Sequence, residues 1–103
     1  MYFSTYIFGK NIMDKEQLAE EIRSRIEKSL SRFDDAGKEC DVYLGTRNNL
    51  RTIVVKRNQG VGISHYVVKE IESVLKDYRL CPVFYFIEID KDEMKPTIEI
   101  FVV

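Results

Sequence analysis

Hydrophobic residues recur along this chain with two different periods. Between positions 14 and 33 they fall every three or four residues, at Leu18, Ile22, Ile26, Leu30 and Phe33. That spacing predicts a helix with one apolar stripe. Asp14 supplies an N-cap, with Gln17 as its capping-box partner. Met13 and Leu18 fit a hydrophobic staple, and Gly37 is a natural stop. The other face mixes Glu20, Glu21, Arg23, Arg25, Glu27 and Lys28, as solvated helix surfaces do. A second stripe, Ile63, Val67, Ile71, Val74 with Leu75, and Tyr78, predicts another helix over 63–78.

Elsewhere the period is two or the apolar runs are short. Positions 41–46 and 51–57 carry Val42, Tyr43, Leu44, then Ile53, Val54 and Val55, around the turn-like stretch 47–50. This predicts a β-hairpin. Near the C-terminus Val83, Tyr85, Ile87 and Ile89 alternate with Phe84, Phe86, Glu88 and Asp90. After a polar loop around Asp92, Ile98, Ile100 and Val102 alternate with Thr97, Glu99, Phe101 and Val103. Pro82 and Pro96 stand at strand starts, where a missing N–H is tolerated. No repeat, linker or low-complexity tract divides the chain.

The order is therefore (β)αββαββ, an α+β chain. Two amphipathic helices on one face of an antiparallel sheet give a two-layer sandwich, with a ferredoxin-like arrangement as the natural expectation. Its 103 residues suit one domain, 1–103. Residues 1–12 read either as a first strand, rich in Tyr2, Phe3, Tyr6 and Phe8, or as an extension upstream of Met13. They lack the basic start and small-residue cleavage site of a signal peptide. Cys40 and Cys81 form no disulfide or metal spacing, so we expect reduced cysteines and a cytoplasmic setting. No apolar run is long enough to span a membrane, and we expect no cofactor and no metal.

The alternation in the last two strands makes their outer face unusual. If Val83, Tyr85 and Ile87 face the helices, then Phe84, Phe86, Phe101 and Val103 face away, where a two-layer fold is ordinarily polar. Opposed residues share a face, so the hairpin register must pair an odd with an even number. Pairing Phe86 with Phe101, and Glu88 with Glu99, is one such register; pairing Phe84 with Phe101 is another. An apolar patch of this kind marks an interaction site. The leading expectation is a non-enzymatic domain that forms a homodimer through Phe84, Phe86, Phe101 and Val103 and binds another macromolecule. Closure of the patch by the N-terminal segment is the intramolecular alternative.

Charge adds a second candidate. The net charge is −1, which supplies no global field for nucleic acid. Residues 42–69, however, hold Arg47, Arg51, Lys56, Arg57 and Lys69 and no acid. This basic hairpin leads into Gly60 and Gly62 before the second helix, where backbone N–H groups favour anions. Nucleic-acid or phosphate binding through Arg47, Arg51, Lys56, Arg57, Gly60 and Gly62 is the runner-up. The glycines match no phosphate-loop or dinucleotide pattern, and 51–57 lacks the basic-Gly-aromatic signature of RNA-recognition motifs. A third reading, an enzyme of unnamed class, would rest on the only histidine, His65, or on Glu88 with Glu99.

Overall fold

A computed structural model describes residues 5–8, 11–32, 40–58, 63–78, 83–91 and 93–102; the side chains of 5–8, 11–13, 85, 86 and 88–90 lie outside that description. The elements are β1 (Thr5–Phe8), β2 (Asn11–Asp14), α1 (Lys15–Leu30), β3 (Cys40–Arg47), β4 (Leu50–Arg57), α2 (His65–Leu75), β5 (Val83–Asp90) and β6 (Glu93–Phe101). β1 and β2 form a separate antiparallel pair beside α1. The other four strands form one antiparallel sheet in the order β3-β4-β6-β5. The chain is thus α+β, with two helices and a four-stranded antiparallel sheet.

The expected ferredoxin-like connectivity is not the one observed. In that arrangement the strand before the first helix enters the main sheet. Here that strand, β2, pairs only with β1, and the central strands β4 and β6 run antiparallel. Element order alone left this open, because it does not say which strands pair.

α1 begins where its sequence says it should. The Asp14 side chain accepts from Gln17 N at 2.8 Å, and Gln17 Oε1 accepts from Asp14 N at 3.2 Å. Both orphan amides are thereby satisfied. α2 is capped by Ser64, whose hydroxyl accepts from Val67 N. The buried stripe of α1, Leu18, Ala19, Ile22, Ile26 and Leu30, meets Val67, Ile71 and Val74 of α2. Both lie against alternate residues of the sheet, chiefly Ile53, Val55, Ile98 and Ile100, all fully buried.

A repeat that the residue types conceal is visible in the pairing. The α1 stripe Leu18, Ile22, Ile26, Leu30 is matched forty-five positions later by Ile63, Val67, Ile71, Leu75 in and before α2. At the same offset, Thr52-Ile53-Val54-Val55 of β4 is matched by Thr97-Ile98-Glu99-Ile100 of β6. In the β4–β6 ladder, Thr52 lies opposite Phe101 and Lys56 opposite Thr97, with Val54 opposite Glu99 in the middle. Val54 and Glu99 are themselves equivalent positions. A pseudo-two-fold axis therefore passes through that pair and relates the β3–β4 hairpin to the β5–β6 hairpin.

Tight turns set both hairpins. Asn48 and Asn49 both have positive φ, 53° and 65°, as a two-residue hairpin loop of the primed type requires. In the second hairpin Asp90 opposes Glu93 and Lys91 has φ 51°. This register places Phe84 opposite Glu99, Phe86 opposite Thr97 and Glu88 opposite Lys95. The odd-with-even rule holds, but neither register expected from the sequence does: both assumed a longer loop. The Glu88–Glu99 pair is not formed.

Polar contacts join the helices at their outer rim. The Tyr78 hydroxyl donates to Glu21 and accepts from Arg25 Nη1, both at 2.9 Å, while Arg25 Nη2 bonds Asp77 at 2.7 Å. Partial burial, together with the bond to Glu21, pushes the Tyr78 phenol above its ordinary 10.0, against the opposing pull of Arg25. A raised folded-state pKa means that the associated stability is full below about pH 10 and is lost as pH rises through the higher folded value. Urea midpoints measured between about pH 8 and about pH 11 should therefore fall more for the native chain than for Tyr78→Phe.

Candidate interaction face

Alternation along the four strands sends one set of residues away from the helices. On β3 these are Asp41, Tyr43, Gly45 and Arg47; on β4, Leu50, Thr52, Val54 and Lys56. On β6 they are Thr97, Glu99 and Phe101, and on β5 Phe84 with the register position of Phe86. No element among the described residues is packed over this face. Its rows across the sheet read Asp41–Lys56–Thr97–Phe86 and Tyr43–Val54–Glu99–Phe84.

The middle of the face is closed by its own side chains. Thr52, Val54, Thr97 and Glu99 are buried. A carboxylate removed from water needs partners for both oxygens. Glu99 Oε1 accepts from Arg47 Nε at 2.5 Å, and Oε2 accepts from Thr52 Oγ1 at 2.9 Å. Glu99 is 4% exposed at its side chain and Arg47 51%, so the pair is half dry and half wet. Gly45 sits beside it. A Cβ there would come within 3.0 Å of Val54 Cγ2 and 3.1 Å of Thr52 Oγ1, so only glycine leaves Thr52 undisturbed.

Aromatic residues flank this polar centre. Phe84 and Phe101 meet edge to face, with ring centroids 5.2 Å apart and planes at 78°. Such a contact adds roughly 0.5–1.5 kcal/mol beyond area burial. Phe84 remains 54% exposed, and Tyr43 on the far strand is also exposed, with Lys56 Nζ 6.0 Å from its ring centroid. The β1–β2 hairpin lies beside α1, and Phe84 stays open to solvent.

Of the residues singled out in the sequence, Phe84 and Phe101 are therefore brought together. Phe86 holds the next outer register position on β5, although its side chain lies outside the described residues, as do all of Val103, Gly60 and Gly62. The basic residues are divided. Arg47 and Lys56 belong to this face, whereas Arg51 and Arg57 alternate to the helix side. Arg51 is also committed. It holds both oxygens of Glu16 on α1, at 2.8 and 2.7 Å, and donates to Gly45 O at 3.1 Å. These bonds raise the Arg51 pKa and hold the Glu16 carboxyl below its usual range. His65 is exposed at the start of α2, while Cys40 is buried. Among the described residues no three His, Cys, Asp or Glu side chains cluster as a metal site would, and no helix is long and apolar enough to cross a membrane.

The sequence reading passed over Tyr43 and Thr52 as parts of this face. Their signal was parity: once Val42 and Leu44 face the helices, Tyr43 cannot. No family model, no curated protein and no solved structure matches the chain.

Removing one member of a buried ion pair costs more than replacing the pair by well-packed apolar groups. Arg47→Ala should lower unfolding stability by about 1–2 kcal/mol, discounted for its exposure, because it strands Glu99. Glu99→Val, which copies its symmetry mate Val54, should cost less than Arg47→Ala or be neutral. Paired urea titrations of the two variants check the order.

Proposed function

We propose that this chain is a small non-enzymatic interaction domain that forms a homodimer through the aromatic part of its sheet and presents the assembly to another macromolecule. The observation that carries this reading is Phe84, a large apolar residue more than half exposed and stacked on Phe101 in the open sheet face. Because Phe84 is 54% exposed, burial against a partner would return roughly half of the 1.5–3 kcal/mol that a fully exposed side chain gains. Interfaces concentrate their energy in aromatic anchors of this kind. A cytoplasmic setting is part of this reading. Solution mass by light scattering across the micromolar range should give a dimer for the native chain. Phe84→Lys should give a folded monomer, since its site is exposed and faces Glu99. A native monomer, or a variant that dimerises unchanged, overturns the reading.

A nucleic-acid or phosphate contact remains the second reading, favoured by one feature: Lys56 beside the Tyr43 ring, with Arg47 on the same face as the exposed aromatics. Bases stack on such rings while cations meet the backbone. Its Arg51 component is weakened by the bidentate pairing with Glu16. If this reading holds, single-stranded oligonucleotide affinity falls about tenfold or more between low and moderate salt. Salt-independent binding, or none, removes it.

A further inference from the structure

We propose that the free edge of β5 is where a second copy of this chain joins, the two β5 strands pairing antiparallel about a two-fold axis perpendicular to the sheet. The two four-stranded sheets become one of eight strands, with all four helices on one side. The proposal rests on the self-association reading above and names its geometry.

β5 is an edge strand with exposed apolar residues on both faces. Phe84 projects to the open face and is 54% exposed; Ile87 projects to the helix side and is 59% exposed. Its pair partner on that side is Pro96, and the neighbouring pair brings the exposed Met94. A partner lying flat on the open face covers Phe84 and leaves Ile87 in water. A strand added at the edge covers both, because successive side chains of the new strand fall on alternate faces.

The other edge makes the contrast. β3 places Asp41, Gly45 and Arg47 around a single exposed aromatic, Tyr43, on its open face, and its helix-side Val42 and Leu44 pack against the core. Charges and glycine are what edge strands carry when pairing is to be discouraged. The run Val83-Phe84-Tyr85-Phe86-Ile87 has no charge, no proline and no glycine. Acids enter only at Glu88 and Asp90.

Sequence and symmetry fix the register. Antiparallel partners share a face, so the two copies keep their helices on the same side only when paired residue numbers are both odd or both even. Centring on Tyr85 sets Phe84 opposite Phe86 of the second copy on the open face, and Val83 opposite Ile87 of the second copy on the helix side. Each exposed apolar position then meets an apolar one. Centring nearer Glu88 would face acid with acid. The molecule already uses this operation internally: β4 and β6 join two hairpins, antiparallel, about a two-fold axis at Val54 and Glu99. The dimer repeats it with β5.

Two substitutions and one exchange measurement test this on the full chain. Ile87 faces the helix side, so Ile87→Lys spares a face-to-face dimer and damages an edge-paired one. Tyr43 lies on the opposite edge strand, with β4 and β6 between it and β5, so Tyr43→Glu does the reverse. The expected result is a native dimer whose Kd rises about tenfold or more in Ile87→Lys and is unchanged in Tyr43→Glu. Amide exchange in β5 should slow as native protein concentration rises, while exchange in β3 stays constant. This second readout needs no variant to fold. A dimer that survives Ile87→Lys and is lost in Tyr43→Glu overturns edge pairing and leaves self-association standing. A native chain that remains monomeric overturns both.

Discussion

The antiparallel seam between β4 and β6 is the contact on which the rest of the structure depends. On its helix side it buries Ile53, Val55, Ile98 and Ile100, and these four make the floor under both α1 and α2. On its open side it buries Thr52, Val54, Thr97 and Glu99. A slip of one residue would turn Ile98 and Ile100 outward and press Glu99 into the helices. A slip of two would keep the faces but carry Glu99 away from Thr52 and Arg47, leaving a buried carboxylate without its donors. Hydrophobic alternation therefore selects the faces, and one ion pair selects the register within them. Buried polar groups elsewhere serve as register pins in the same way.

That division explains how much could be read in advance. α1 was legible to its first residue, because the stripe and the capping box are local and agree with each other. The assignment of faces was equally legible from parity, which is how Phe84 and Phe101 were found. Register was not legible, because it depends on loop length, and the polar residues around Asp92 fit loops of several lengths. Topology was not legible either. The αββ repeat shares apolar character but few identities: Val67 stands for Ile22, Glu99 for Val54. Its first strands also keep a different offset from its helices, since both hairpins close through two-residue turns. A repeat carried by burial pattern alone escapes inspection of residue types. Glu99 was visible as an acid on an apolar face. Its partner, Arg47, stands 52 positions away and could be identified only once β3, β4 and β6 were side by side.

The basic segment shows why a run of charge along a chain is not a patch in space. Positions 42–69 carry five cations and no anion. Alternation along a hairpin splits such a run between two faces. The compensating acids then come from distant elements: Glu16 from α1 on one side, Glu99 from β6 on the other. Arg51 anchors the start of α1 to the sheet, and Arg47 closes the centre of the open face. Arg47 and Arg51 thus have structural partners that a linear count could not supply.

The unequal edges of the sheet carry a further consequence for any assembly this chain builds. An apolar, uncharged edge strand is a hazard because strand addition can continue without limit. Pairing two identical β5 edges about a two-fold axis uses both at once, and the interface is closed. The edges then left at the ends of the extended sheet are the two β3 strands. Those present Asp41, Gly45 and Arg47, and Arg47 is held down by Glu99. A third copy would have to add to a charged, glycine-interrupted edge whose helix-side apolar positions already belong to the core. The residue types that leave β5 open and β3 guarded therefore favour an assembly that stops at two over one that propagates.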